Sequence, residues 1–133
     1  MPRIRAALAL TVLPIAAAAE VVTTPSGLGL VLQETRTERH EGLGPTGGDE
    51  TWVRFRFLAP AVAEMGYAGI ASEFLPLCEE FALPRLAAAG QAADVVIVSI
   101  EDRPVAFGEM DPEAVQFFES FPAMGAACEW DAF

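Results

Sequence analysis

The chain has no lysine, a single histidine and only two cysteines in 133 residues. Each shortage closes off some chemistry. All eight basic residues are arginine, and against 19 Asp and Glu they leave a net charge of −11. That balance excludes nucleic acid as a partner, because affinity there comes mainly from neutralising phosphates. It equally disfavours adsorption on anionic lipid. His40 stands alone, so the rigid His, Cys and carboxylate clusters that hold zinc have little to draw on. No G-x-S-x-G sequence presents a nucleophilic serine, and no C-x-x-C pair presents a redox thiol. No metal and no cofactor is expected. An enzyme is therefore the less favoured reading; it would need a cluster of perturbed titratable groups around His40, Arg103 or the acidic pairs.

What is present begins with an address. Arg3 and Arg5 precede an apolar or neutral run from Ala6 to Ala19, which is short of the roughly 20 residues that span a bilayer. The run ends in Ala17-Ala18-Ala19 before Glu20, the small-residue site of a secretory signal peptide. Residues 1–19 are thus expected to be a cleaved signal, and residues 20–133 one domain, periplasmic or secreted, with no integral membrane segment. No cysteine follows the cut to take a lipid anchor, and the two arginines are not adjacent as the twin-arginine route requires. Losing Arg3 and Arg5 takes the charge from −11 to −13. With 53% hydrophobic residues the chain is neither disordered nor low-complexity, and it can bury one modest core. In an oxidising compartment the even pair Cys78 and Cys128 is expected to form one disulfide.

The expected fold is α+β: a single small domain with an antiparallel or mixed sheet of 4–5 strands packed with one main helix. Leu28, Leu30 and Leu32 alternate in a first strand running toward Thr37, ahead of a glycine-rich loop from Arg39 to Glu50. The match of Gly42 to Gly47 to G-x-G-x-x-G is taken as chance, since Pro45 removes an amide and a strand follows instead of a helix. Trp52 to Leu58 is the clearest strand, with Val53, Phe55 and Phe57 on one face and Trp52, Arg54 and Arg56 on the other. Phe74, Leu77, Cys78 and Phe81 mark a helix face, with Glu73, Glu79 and Glu80 opposite and an interruption at Leu83-Pro84. Val95 to Ile100 reads as a central strand. Periodicity leaves residues 113–121 open between helix and strand, with strand preferred; Asp111 and Pro112 suit a helix start. A closing strand is expected from Cys128 to Phe133.

Two surface features stand out. Trp52, Arg54 and Arg56 share a strand face in the aromatic-and-arginine mixture enriched at protein contacts, although such side chains also simply cover a sheet. Arg103, directly after the central strand, suits either a carboxylate clamp in a pocket or an ion pair with Glu101, Asp102 or Glu109. Glu109, Asp111 and Glu113 fall on one face of an extended chain but lack the D-x-D-x-D-G spacing of a calcium loop. Candidate ligand or partner residues are therefore Trp52, Arg54, Arg56, Arg103, Glu109 and Asp111. The expected function is a non-enzymatic periplasmic acidic domain that binds a protein partner, a cationic one by charge, or assembles with an envelope complex. The alternative is a small-molecule or cation binder using the Arg103–Asp111 segment.

Three stretches, residues 52–57, the run Arg103-Pro104-Val105-Ala106-Phe107-Gly108-Glu109, and the ending from Gln116 through Trp130, together resemble an uncharacterised domain-of-unknown-function family. That family consists of small exported alphaproteobacterial proteins, Rhodobacter-like in particular. The resemblance implies a periplasmic location and a cysteine pair, and brings no activity with it.

Overall fold

The structure, a computed structural model, describes residues 9–13, 19–125 and 127–130. Six strands lie side by side in chain order in one mixed, curled sheet: β1 (Glu20–Thr23), β2 (Gly29–His40), β3 (Glu50–Leu58), β4 (Val95–Glu101), β5 (Gln116–Met124) and β6 (Ala127–Cys128). Every neighbouring pair is antiparallel except β3 and β4, which run parallel and are joined by the helical crossover. Among the described residues the strand count is six, not the four to five expected, because the β-branched stretch before Pro25 pairs with β2 instead of ending in coil. A turn closes that hairpin, with the Gly27 N–H on the Thr24 carbonyl at 2.9 Å and Gly27 at φ 93°. The ambiguous segment resolves as β5, and the Asp111 helix start does not form. Asp111 instead accepts the Glu113 N–H at 3.0 Å in a local turn. The closing strand is short, and residues 131–133 of the expected stretch lie outside the described residues.

The crossover is helical, with a break at Gly66 (φ 66°, ψ 176°) and changes of winding after it: α1 (Val62–Ile70), a 3₁₀ turn (Ala71–Glu73), α2 (Phe74–Pro76), a π turn (Leu77–Ala82) and α3 (Leu83–Ala88). Proline 84 lacks an amide and its ring would strike the carbonyl four residues back. The chain accommodates it by widening: the Leu83 N–H reaches the Cys78 carbonyl five residues back. The helix therefore passes through Leu83-Pro84 where an interruption was expected. Glu73 was expected on the outer side; it is buried and takes a hydrogen bond from Ser26 in the β1–β2 turn.

One sheet face carries Leu30, Val53, Phe55, Phe57, Val96, Val98, Ile100 and Phe121 against Val62, Ile70, Phe74, Leu77, Ala82 and Leu86 of the crossover. Phe81 sets its ring edge-on to Phe57 and Phe55, with centroids 5.5 and 6.1 Å away. Cys78 on the buried helix side and Cys128 in β6 form the disulfide, Cα to Cα 6.3 Å across 50 residues. The Glu79 carboxylate takes the Cys128 N–H at 3.1 Å, so the two-residue strand is held by both covalent and polar ties.

Candidate functional site: the polar face of the sheet

A single bulge builds the second face. Along β2, Leu30 and Leu32 face the core, and strict alternation would send Glu34, Arg36, Glu38 and His40 inward after them. The register shifts between Leu32 and Glu34, leaving Gln33 as the extra residue. From there the charged residues turn to the opposite side, level with β3: Glu34 beside Arg56, Arg36 beside Arg54, Glu38 beside Trp52 and His40 beside Glu50. Strands β4 and β5 complete the rows with Ile97, Ser99 and Glu101, then Phe118, Ser120 and Pro122.

Arg56 is the centre of this face, its side chain 4% exposed. Its Nε and Nη2 donate to Oε1 of the fully buried Glu101 at 3.0 and 2.7 Å, its Nη1 donates to Glu34, and Nη2 also reaches the Val105 carbonyl at 2.7 Å. Burial pushes the Glu101 carboxyl above its ordinary value, and the charge and hydrogen bonds of Arg56 offset this only in part. Burial also raises Glu34, but the hydrogen bond and charge of Arg56, with Arg36 adding to them, outweigh it and hold that carboxyl low. Arg54 is tied to Glu38 at 2.8 Å. The arginines of β3 are thus committed to internal partners, and Arg56 is covered, whereas the sequence pattern left both open to solvent or a partner.

The cover is the loop 102–115, which folds back over the sheet. Phe107 lies across three guanidinium groups, with ring centroid 4.1 Å from Arg36 Cζ, 5.3 Å from Arg54 Cζ and 5.7 Å from Arg56 Cζ. Arg103 turns away and pairs with Asp102 at 3.0 Å and Glu113 at 3.7 Å. That hydrogen bond, joined by the Val115 N–H at 2.8 Å, holds the Asp102 carboxyl below its ordinary range. The fold therefore brings Arg54, Arg56 and Glu109 together around a cavity of about 180 Å³, floored by Gln116 and Phe118. Arg103 and Asp111 do not line it. Its volume is below the roughly 300–1,000 Å³ common for small-molecule sites.

Trp52 lines a different and larger opening of about 540 Å³, with Glu50, Asp94, Ser120, Pro45 and Pro122. The indole stacks on His40 at 3.8 Å between centroids and donates from Nε1 to Glu50 at 2.8 Å. Asp94 is fixed by three ties: its Oδ2 takes the Thr51 N–H at 2.8 Å, its own N–H reaches the Thr51 carbonyl at 2.8 Å, and its carbonyl takes the Ala123 N–H at 2.9 Å. Among the described residues neither Glu50 nor Asp94 has an ion-pair partner, and no basic residue lines the opening. Phe118, which lines the smaller opening, is 61% exposed, and Met110, on the covering loop, 95%. Sequence reading placed Glu50 in the surface loop and Phe107 and Met110 in the Arg103–Asp111 segment, but singled out none of Phe107, Met110, Phe118, Glu50 and Asp94 as a site residue. Alternation along β5 with Phe117 and Phe121 inward was the available signal for Phe118. Among the described residues no three His, Cys, Asp or Glu side chains converge as a metal requires, and no helix is long and apolar enough to cross a membrane.

A six-stranded curled sheet, helical on one face, loop-strapped on the other and closed by one disulfide, defines a small sheet-rich α+β domain. The chain belongs to a family of unknown function, DUF6497, whose model matches residues 7–133. No curated protein and no solved structure matches it.

Proposed function

We propose that the mature domain is an exported, non-enzymatic binding module that recruits a cationic protein through the polar face of its sheet. The observation that carries this reading is the exposure of Phe118, with Phe107 partly exposed beside it and Met110 on the same covering loop, on a face whose arginines are ion-paired internally. Large apolar side chains rimmed by charged groups are the usual composition of a protein contact, and aromatic anchors supply most of its energy. The net charge of the mature domain, −13 once Arg3 and Arg5 are removed, favours a basic partner and fast, salt-sensitive association. Export is supported by Leu10, Val12 and Leu13, each more than four-fifths exposed and so unpacked against the domain, and by β1 opening at Glu20. The joined cysteines fit an oxidising compartment.

The test is affinity capture from periplasmic extract with residues 20–133, oxidised, beside the Phe118→Asp and Met110→Asp variants, at low and high salt. A partner retained by the wild type, weakened by salt and lost with either variant supports the module. Retention indifferent to both variants contradicts this face. No partner with a folded domain contradicts protein binding and leaves the cavity beside Arg54 and Glu109 as the site to screen with small ligands.

A further inference from the structure

We infer that the opening beside Trp52 is a pocket for an arginine side chain of the protein partner. This rests on the binding-module reading above and names the chemistry at one end of its surface. Phe118, Ser120 and Pro122 step along β5 on one side of the sheet, so the exposed Phe118 and the Trp52 opening lie on the same continuous face. Elsewhere on that face charge is matched internally: Arg36 with Glu34, Arg54 with Glu38, Arg56 with Glu34 and Glu101. At the Trp52 end the matching stops. Glu50 and Asp94 line the same opening, and among the described residues no arginine lines it, while His40 lies against Trp52 with its Nε2 toward Glu38 at 3.6 Å.

The two carboxylates are each held by a neighbouring N–H. Glu50 is fixed by the indole N–H of Trp52, and Asp94 by the Thr51 amide. Trp52 itself is steadied by His40. A flat guanidinium suits this setting better than an ammonium, because it lies along an aromatic wall and offers several N–H groups in one plane to separate carboxylates. Pro45, Val95 and Pro122 supply apolar surface for its methylene stem.

The experiment follows the Trp52 indole N–H resonance in the oxidised domain, assigned by comparison with Trp130→Phe. The probes are the blocked tripeptides acetyl-Gly-Arg-Gly-amide, its Lys counterpart and its Leu counterpart. The expected result is a saturable shift with the Arg peptide, reached within about 10 mM as suits an isolated side-chain contact. The same shift should need at least about tenfold more peptide in a Glu50→Gln, Asp94→Asn double variant that keeps the wild-type fold by circular dichroism. It should be unaffected by Phe118→Asp. No shift in that range, an equal or stronger response to the Lys or Leu peptide, or a response retained in the double variant overturns the inference. Because Phe118→Asp acts on capture and not on the peptide, loss of the pocket and loss of the binding surface are read separately.

Discussion

Arg56 of β3 and Glu101 at the end of β4 form a charge pair almost closed to solvent: two guanidinium nitrogens converge on one carboxylate oxygen, Oε1, at 3.0 and 2.7 Å. The same guanidinium holds Glu34 on one side and the Val105 carbonyl on the other, so a single side chain joins β2, β3, β4 and the covering loop. Removing one member leaves a buried charge alone, which costs more than the pair itself contributes. Arg56→Leu is expected to destabilise the domain by about 3–5 kcal/mol in urea unfolding. The double change Arg56→Leu, Glu101→Leu should recover a large part of that loss. Additive losses would mean the two side chains are not coupled.

The two glutamates give opposite pH behaviour. Glu101 has a raised carboxyl pKa in the folded state, so its contribution is fully present below the ordinary value of 4.5 and is lost as pH rises through the raised value. Glu34 is held low, so its contribution is present above 4.5 and is lost as pH falls through the lowered value. Glu101→Gln should therefore flatten the decline of stability on the alkaline side of 4.5 and leave the acid limb in place. Urea midpoints of both proteins from acid to neutral pH check this. A variant that alters only the acid limb would reverse the assignment.

Phe107 is the covering loop's main hold on the arginines apart from the Val105 carbonyl. Phe107→Ala should cost about 1–2 kcal/mol, the order of a partly shielded cation–π contact. Amide exchange should quicken over residues 103–111 while β3 and β4 stay protected. Unchanged exchange in that segment would show that the ring contributes nothing to the strap.

Strand β6 has two residues, and its position depends on the Cys78–Cys128 bond and the Glu79 contact. Reduction of the disulfide should lower stability by up to about 4 kcal/mol in the chain-entropy view of a loop this long. Unfolding with and without reductant measures it, and coincident curves would remove the staple from the energetics.

Local pattern was enough for much of this fold. Val53, Phe55 and Phe57 against Trp52, Arg54 and Arg56 set β3, the β-branched run set β4, and the cysteine pair is joined. What failed depended on distant neighbours. The first strand was hidden because four residues before a Pro-Ser-Gly turn gain their ladder only from β2. Glu73 looked like an outward carboxylate until Ser26 arrived from another hairpin. The helix looked broken at Pro84 because sequence shows the missing amide but not the wider winding that absorbs it. The polar face was the least legible part. Arg54 and Arg56 were visible as a pair of surface cations, yet their partners come from β2 beyond a bulge and from the far end of β4. Nothing in the order Arg103 to Asp111 says that the loop folds back and lays Phe107 over them.

The most direct test places a photo-crosslinking residue at position 118 in the exported protein within living cells, with the same residue at Glu64 on the helical side as reference. The expected result is a discrete adduct to a basic protein from position 118, in the mature, oxidised form, and none from position 64. No adduct from position 118, or equal adducts from both faces, would contradict a binding surface on the polar face of the sheet.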